Sequence, residues 1–340
     1  MSLSILILAN DQGLQFHSRK PKVLHPLAGL PMICHTLDLA ARLGGTSIVV
    51  SAPEDKAMIE QALNVEVQWV TSAVLERVAT VLRRVLDALD EIPEQLLVLP
   101  ADMPLLRAKT VRALIERRVS RDVSIATLGE GDVICLGREA LHQYTKMAAQ
   151  AFEAWLEHSM IEAQAMDLDD EQELMRIDTR LDLSHAAKIM RRRINERWML
   201  TGVTLIDPAT TYIDVTVNLG RDTVIEPNSH LRGETVIGEG CRIGPNTIIE
   251  SCTIGDRCEI RASVLEFAVM EDDSDIGPFG HLRKGARICK GAHMGNFGEM
   301  KNSTLGPGAK MGHFSYLGDA EVGPGANIGA GTITCNYDGV

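Results

Sequence analysis

Side chains that can carry acid–base and anion-binding chemistry are concentrated near the carboxyl-terminal end of the sequence. They are Arg283, Lys301, His313, Tyr316, Asn327, Asn336 and Tyr337. An imidazole can accept a proton near neutral pH, and arginine and lysine bind phosphate oxyanions. The same side chains are common at turns and on surfaces, so residue type alone leaves a catalytic and a structural interpretation open.

Two positions in the first half lie where α/β proteins bind ligands. The apolar runs Leu3–Ala9 and Gln95–Pro100 are each predicted to form a buried parallel strand. A polar loop follows Ala9, and Asp102 follows the second run. Ligands of doubly wound sheets bind beyond the carboxyl ends of the strands, so this loop and Asp102 are candidate binding positions.

The order of predicted elements in the first half indicates an α/β domain. Strands are predicted at Leu3–Ala9, Thr46–Ala52, Val65–Val70, Gln95–Pro100 and Val123–Leu128. Helices are predicted at Met32–Leu43, Glu54–Leu63, Val74–Leu89 and Arg107–Val119. This alternation is typical of a doubly wound, Rossmann-like parallel sheet. Residues 138–180 are acidic and helical in character, and Asp182–Trp198 is predicted to be one helix with a solvated basic stretch.

Aliphatic residues recur every six positions in the second half, as at Ile225, Leu231 and Ile237. The pattern continues to Ile328, and glycine often follows the aliphatic residue. A period of six predicts a β-helix whose aliphatic side chains fill the axis. We expect segments 261–275 and 295–304 to be loops that leave the coil, and His313 to face the axis or to lie at a corner.

The composition is that of a folded, acidic protein. The net charge of −12 disfavours binding to nucleic acid. No apolar run approaches the roughly 20 residues of a membrane span, and the apolar start lacks the basic flank and cleavage site of a signal peptide. The 7 cysteines include no C-x-x-C pair, so we expect free buried thiols in a reducing cytoplasm.

Three carboxyl-terminal segments carry a resemblance to a known family. They are Gly291-Ala-His-Met-Gly-Asn-Phe-Gly-Glu-Met-Lys301, Gly312-His-Phe-Ser-Tyr-Leu-Gly-Asp319 and Asn327-Ile-Gly-Ala-Gly-Thr-Ile-Thr-Cys-Asn-Tyr-Asp-Gly339. They resemble the GlmU family of bifunctional N-acetylglucosamine-1-phosphate uridyltransferase/glucosamine-1-phosphate acetyltransferases. That family makes UDP-N-acetylglucosamine for bacterial peptidoglycan and lipopolysaccharide.

For the second half, the resemblance implies a left-handed parallel β-helix that forms homotrimers. It implies that His313 is the general base in acetyl transfer from acetyl-CoA to glucosamine-1-phosphate. It also implies that Arg283 and Lys301 hold the sugar phosphate. The sugar and the acyl group would be oriented by Tyr316, Asn327, Asn336 and Tyr337.

The first half resembles the nucleotidyltransferase domain of the same family. The stretch Pro21-Lys-Val-Leu-His-Pro-Leu-Ala-Gly29 matches its Pro-Lys motif, which implies that Lys22 contacts substrate phosphates, including those of UTP. Val98-Leu-Pro-Ala-Asp-Met-Pro-Leu105 matches its metal-binding strand end, which implies that Asp102 is a Mg²⁺ ligand. Asp178 stands where the family has an asparagine that completes the metal site, and a carboxylate suits Mg²⁺ equally well.

The loop after the first strand departs from the family pattern Leu-Ala-Ala-Gly-x-Gly-Thr-Arg-Met. Here it reads Leu8-Ala-Asn-Asp-Gln-Gly-Leu-Gln-Phe16, so Asp11 replaces a glycine and Gln15 replaces the arginine. A carboxylate at position 11 repels phosphates, and the lost arginine removes a neutralising charge. The family's Gly-Thr-Gly segment for the uracil base is replaced by Thr71–Ala79. We therefore expect impaired uridyl transfer.

We expect an α/β nucleotidyltransferase-like domain at 1–181, a connecting helix at 182–200 and a left-handed β-helix at 201–340. The family continues beyond this length, so we expect the chain to be a fragment or the product of a truncated reading frame. Two alternatives remain open. One is a non-catalytic trimeric scaffold. The other is a nucleotidyltransferase for a different nucleotide or sugar, with Mg²⁺ held by Asp102 and Asp178.

Overall fold

The computed structural model divides the chain into two compact units, Met1–Ala187 and Lys188–Val340. It describes residues 2–11, 13–63, 65–73, 76–120, 125–129, 133–148, 151, 153–156, 158, 166 and 168–336. Within these ranges, none of the helices is both long enough and apolar enough to cross a bilayer.

The first unit is built on a six-stranded sheet and a two-stranded ribbon. The strands are β1 (Leu3–Ala9), β2 (Pro26–Leu27), β3 (Leu30–Pro31), β4 (Thr46–Ser51), β5 (Gln68–Thr71), β6 (Gln95–Pro100), β7 (Ile125–Leu128) and β8 (Val133–Gly137). The sheet order is β5-β4-β1-β6-β8-β7, and β2 pairs with β3 in the ribbon. Strands β5, β4, β1 and β6 are parallel, as expected.

The expectation of a wholly parallel sheet was wrong at one edge. Strand β8 lies between β6 and β7 and runs antiparallel to both. Only residues 129–132 separate β7 from β8, and a connection this short can join antiparallel strands but not parallel ones. The start of the predicted strand Val123–Leu128 lies outside the described residues, as do Val74 and Leu75 at the start of the predicted helix Val74–Leu89.

Helices cover both faces of the main sheet, which is the doubly wound arrangement. They are α1 (Met32–Leu43), α2 (Pro53–Ala62), α3 (Val78–Ala88), α4 (Ala108–Ser120) and α5 (Arg138–Lys146), with short 3-10 turns at Leu14–Phe16, Lys22–Leu24 and Glu171–Leu174. Side chains alternate along β1, so Ile5 and Ile7 pack with α1 and α4 on one face. Leu6 packs with α3 and α5 on the other face.

The second unit is a β-helix of three parallel sheets, to which each coil contributes one strand. The first sheet contains Thr204–Leu205, Val224–Ile225, Arg242–Ile243, Glu259–Ile260, Asp275–Ile276, His293–Met294, Lys310–Met311 and Asn327–Ile328. The second contains Tyr212–Ile213, His230–Arg232, Ile248–Glu250, Val264–Glu266, His281–Leu282, Gly298–Lys301 and Ser315–Gly318. The third contains Asn218–Leu219, Val236–Ile237, Thr253–Ile254, Val269–Met270, Arg287–Ile288, Thr304–Leu305 and Glu321–Val322.

The predicted aliphatic residues fill the axis of the coil, but the two predicted loops were wrong. Segments 261–275 and 295–304 continue the coil, with Leu265, Met270 and Met300 buried in its interior. The steps from Ile260 to Leu265 and from there to Met270 are five residues long. Each such step shortens a corner by one residue without interrupting the stack, so a fixed period of six misses it.

A long helix, α6 (Arg180–Leu200), spans the boundary between the two units. It contains the predicted helix Asp182–Trp198 and begins two residues earlier. The cysteines are all free thiols, as expected, but not all are buried. Cys34 is half-buried and Cys335 is exposed.

Candidate functional site

The first unit brings three carboxylates around one buried ammonium. The Lys22 Nζ atom lies 2.9 Å from Asp102 Oδ2 and 3.0 Å from Asp178 Oδ1, and it also contacts Asp11 Oδ2. The Lys22 side chain is fully buried, and that of Asp102 is only 6% exposed. Three residues that the sequence singled out therefore meet at one point, and Asp11 joins them.

Chain topology explains why these residues meet. Asp11 follows β1 and Asp102 follows β6, and these neighbouring parallel strands end side by side, with Leu8 opposite Pro100. Lys22 begins a 3-10 turn, Lys22–Leu24, in the segment after β1. Gly13 has a φ of 58°, and a Cβ atom there would lie 2.6 Å from Lys22 Cβ. Only glycine at position 13 leaves room for the Lys22 side chain beside this loop.

The contacts within this cluster shift the pKa values of Lys22 and Asp11 in opposite directions. Burial alone would lower the pKa of Lys22, but the charge of Asp102 and hydrogen bonds to the carboxylates raise it well above its usual value. Burial alone would raise the pKa of Asp11, but the Gly13 N–H and the Lys22 ammonium lower it. The Gly13 N–H donates to Asp11 Oδ1 at 2.9 Å. Arg176 Nη1 lies 3.7 Å from Asp102 Oδ2 and adds a second cation.

The donor set of this cluster fits a hard divalent cation. One carboxylate oxygen from each of Asp11, Asp102 and Asp178 lies within 4.8 Å of the others. Asp102 Oδ1 is buried and has no hydrogen-bond partner among the described residues. Carboxylate oxygens are the ligands that Mg²⁺ prefers, so the residues present are suited to hold it.

Asp178 is held in place by the cap of α6. The Asp182 carboxylate accepts hydrogen bonds from the Thr179 N–H at 2.8 Å, from its hydroxyl at 2.7 Å and from the Asp178 N–H at 3.3 Å. The Thr179 hydroxyl accepts in turn from the Asp182 N–H at 3.2 Å. This reciprocal pair is a capping box, and it fixes the backbone that presents Asp178.

In the second unit, Arg283 and Lys301 lie on adjacent coils. Leu282 pairs with Met300, and the next bond along runs from the Arg283 N–H to the Met300 carbonyl at 2.8 Å. The two cations therefore occupy equivalent positions, one coil apart. Arg283 Nη1 also contacts Glu299 Oε1 at 3.0 Å. Glu299 was not among the residues predicted from the sequence. It shares a strand face with Lys301, because it lies two residues earlier.

Tyr316 lies beside this pair on the next coil. It pairs with Glu299, while Gly318 pairs with Lys301. A Cβ atom at position 318 would lie 2.5 Å from Tyr316 Oη, so the phenol occupies the space above this glycine. The Asn336 side chain donates to the Gly318 carbonyl at 2.7 Å and to the Asp319 carbonyl at 3.1 Å. The structure thus brings Arg283, Lys301, Tyr316 and Asn336 together at one end of this strand.

His313 lies at the opposite end of the same strand. It is exposed in the bend before Ser315–Gly318, so it is at a corner and does not face the axis. Gly318 lies three residues beyond Ser315, about 10 Å along an extended strand. Asn327 is exposed and pairs with Lys310, just before that bend. Tyr337 lies outside the described residues.

Comparison with known proteins agrees with both units. Residues 5–170 match the MobA-like NTP transferase domain family. Residues 216–251 and 234–265 match the bacterial transferase hexapeptide family (six repeats). The chain is thus a transferase that joins a Rossmann-like nucleotidyltransferase domain to a left-handed β-helix of hexapeptide repeats.

Relatives along the whole chain define the family. Bifunctional protein GlmU from Trichormus variabilis is 34% identical over 99% of this chain and 85% of the relative. The protein of that name from Synechococcus elongatus is 35% identical over 99% of this chain and 85% of the relative. The one from Geotalea uraniireducens is 34% identical over 100% of this chain and 86% of the relative. The chain belongs to the GlmU family, as its sequence motifs indicated.

Proposed function

We propose that this chain acts in UDP-N-acetylglucosamine biosynthesis, and that its second unit transfers an acetyl group from acetyl-CoA to glucosamine-1-phosphate. The observation that carries this proposal is the stacking of Arg283 and Lys301 on adjacent coils with the Tyr316 phenol beside them. Two cations one coil apart, about 5 Å, match the oxygens of a single phosphate dianion.

The proposed chemistry assigns one step to each group. Arg283 and Lys301 bind the phosphate, and Tyr316 and Asn336 border the sugar next to it. Asn327 and Tyr337 would complete the contacts to the sugar and the acyl group. The amine nitrogen of the sugar forms a bond to the acetyl carbonyl carbon, and His313 takes a proton from that amine. The carbon–sulfur bond of the thioester breaks, and coenzyme A leaves as the thiol after proton transfer.

For the first unit, we propose a nucleotidyltransferase domain with Mg²⁺ held by Asp102 and Asp178. Bound Mg²⁺ would neutralise charge on the reacting phosphates. Lys22 is the cation of this unit that would contact the phosphates of UTP. We assign uridyl transfer as the weaker of the two activities because Asp11 lies against Lys22.

We also propose that the chain works as a cytoplasmic homotrimer. Phe279 and Phe297 stack on adjacent coils with ring centroids 5.2 Å apart, and both are more than half exposed. A pair of stacked, exposed aromatic rings is apolar surface that a contact between subunits would bury, which supports this proposal. Light scattering should give a trimer mass for the native chain and a smaller mass for Phe297→Ser.

The test of acetyl transfer incubates the purified chain with glucosamine-1-phosphate, acetyl-CoA, UTP and Mg²⁺ and identifies the products by mass spectrometry. We expect N-acetylglucosamine-1-phosphate from the native chain and none from His313→Asn. The control is His185→Asn, which changes an exposed histidine on α6 and should leave the yield unchanged. Full turnover by His313→Asn would contradict its role as the base. Absence of acetylated product from the native chain would contradict the proposed activity itself.

A further inference from the structure

The Lys22 ammonium has no donor left for a ligand in this structure. An ammonium group carries three N–H donors, and Lys22 meets three carboxylates: Asp11, Asp102 and Asp178. We propose that the Asp11 carboxylate occupies the phosphate subsite of the first unit in place of a ligand phosphate, and so weakens the binding of nucleoside triphosphates to this unit. This inference rests on the proposed nucleotidyltransferase character of the unit.

The contacts of Asp11 are those that a phosphate oxygen would make. Its Oδ1 atom accepts the Gly13 N–H at 2.9 Å, and its Oδ2 atom accepts from the Lys22 ammonium. A backbone N–H in a left-handed turn together with a lysine is a common way to bind phosphate. The turn follows the first strand of a doubly wound sheet, where such ligands bind. Asp11 therefore fills this anion position from within the chain.

Displacing Asp11 is costly for an incoming phosphate. The ligand would have to break the contact between Asp11 and a fully buried ammonium, and it would leave that carboxylate next to its own negative charge. Asp102 and Asp178 already neutralise Lys22, so the subsite has little net positive charge to offer. The carboxylate thus opposes polyphosphate binding, both by occupying the subsite and by repelling the incoming negative charge.

The experiment measures binding of UTP with Mg²⁺ to the full chain by isothermal titration calorimetry. The native chain should bind UTP weakly, whereas Asp11→Gly should bind with an affinity at least about tenfold higher. Inorganic pyrophosphate should displace UTP from this variant, because the freed position recognises phosphate and not the base. Asp11→Asn keeps the shape of the side chain and should show a smaller gain, and it carries the test if the glycine variant folds poorly.

The matched control is Asp90→Gly, which removes the same charge from an exposed bend and should bind no better than the native chain. Equal affinity of Asp11→Gly and the native chain would overturn the proposal, whether both bind UTP or neither does. Failure of pyrophosphate to displace UTP from Asp11→Gly would overturn the proposal as well. Binding of Mg²⁺ alone to the native chain is measured on the same samples. It tests the proposed nucleotidyltransferase character separately, so failure of this inference is distinguishable from failure of that proposal.

Discussion

Arg283 Nη1 lies 3.0 Å from Glu299 Oε1 on the adjacent coil, between the two strands that carry the cations of the second unit. Both side chains are partly exposed, at 45% and 39%. An ion pair this open adds little to stability. Its consequence is positional, because it holds the Arg283 guanidinium against the strand that carries Lys301.

Replacing Glu299 should therefore impair acetyl transfer more than folding. We expect Glu299→Gln to lower kcat/KM for glucosamine-1-phosphate about tenfold, because a charge-assisted contact to Arg283 becomes a weaker neutral one. Steady-state kinetics with a constant urea midpoint would confirm this. The control is Glu321→Gln, an exposed glutamate on the third sheet. Unchanged kinetics in Glu299→Gln would show that the ion pair has no part in the site.

The glycine beneath Tyr316 gives a second prediction. A methyl group at position 318 would meet Tyr316 Oη at 2.5 Å, so Gly318→Ala should push the phenol away from the neighbouring cations. We expect KM for the sugar phosphate to rise roughly tenfold, since a displacement of about 1 Å at a binding group is enough for such a loss. Gly323→Ala is the control, because nothing described lies within 4 Å of the added carbon. Equal KM values in the two variants would contradict this role of Gly318.

Much of the fold follows from local pattern, whereas the contacts of the site do not. The six-residue period predicts which side chains fill the coil, because each inward position repeats with the coil itself. It fails near Leu265 and Met300, where a coil loses one residue at a corner. Strand β8 was not predicted from the sequence. Its antiparallel position between β6 and β7 depends on the short connection from β7, and the composition of β8 itself does not indicate it.

The contacts of Lys22 could not be predicted from the sequence. The motifs pointed to Lys22 and Asp102 as separate members of a phosphate and metal site, and they flagged Asp11 as a departure. The Lys22 ammonium contacts both Asp11 and Asp102 because the strands that precede them, β1 and β6, are neighbours in the sheet. This pairing is a property of the tertiary fold. Burial of the lysine likewise comes from packing and leaves no signature in its own segment.

The cap of α6 predicts a pH-dependent contribution to stability. Hydrogen bonds from Thr179 lower the pKa of Asp182 below its usual value of 3.8. A carboxyl group with a lowered folded-state pKa stabilises the fold above its unfolded pKa, and this contribution is lost as pH falls through the folded value. We expect Thr179→Ala to cost about 1 kcal/mol at pH 7 and less in acid.

Hydrogen exchange of the first turn of α6, measured at neutral pH and near pH 3, checks this prediction. Ser184→Ala on the exposed part of the helix serves as the control and should behave like the native chain. A Thr179→Ala effect that is the same at both pH values would mean that the Asp182 carboxylate is not the partner that matters.

Thiol reactivity should follow burial. Burial raises the pKa of Cys135 and of Cys252 to about 11, so both should resist a thiol reagent at neutral pH. Cys335 is exposed and should react first. Mass mapping of the labelled chain checks the order, and Cys335→Ser should remove the fast phase. A fast phase that persists in this variant would contradict the assignment of the fastest reaction to the exposed thiol.

Removing the central ammonium of the first unit gives the last prediction. Lys22→Met keeps an apolar stem of similar length but leaves the Asp11, Asp102 and Asp178 carboxylates without their shared partner. Breaking a buried ion pair on one side costs about 3–5 kcal/mol, because a buried charge is left uncompensated. The loss should be largest at neutral pH and should shrink in acid. The reason is that the ammonium no longer lowers the pKa of Asp11, so this carboxyl group can become neutral at a higher pH.

Urea unfolding of the native chain and the Lys22→Met variant between pH 4 and 8, with the exposed Lys20→Met as control, measures both effects. A variant as stable as the native chain at pH 7 would mean that the carboxylates are compensated without Lys22. The obvious substitute is Arg176, which lies 3.7 Å from Asp102.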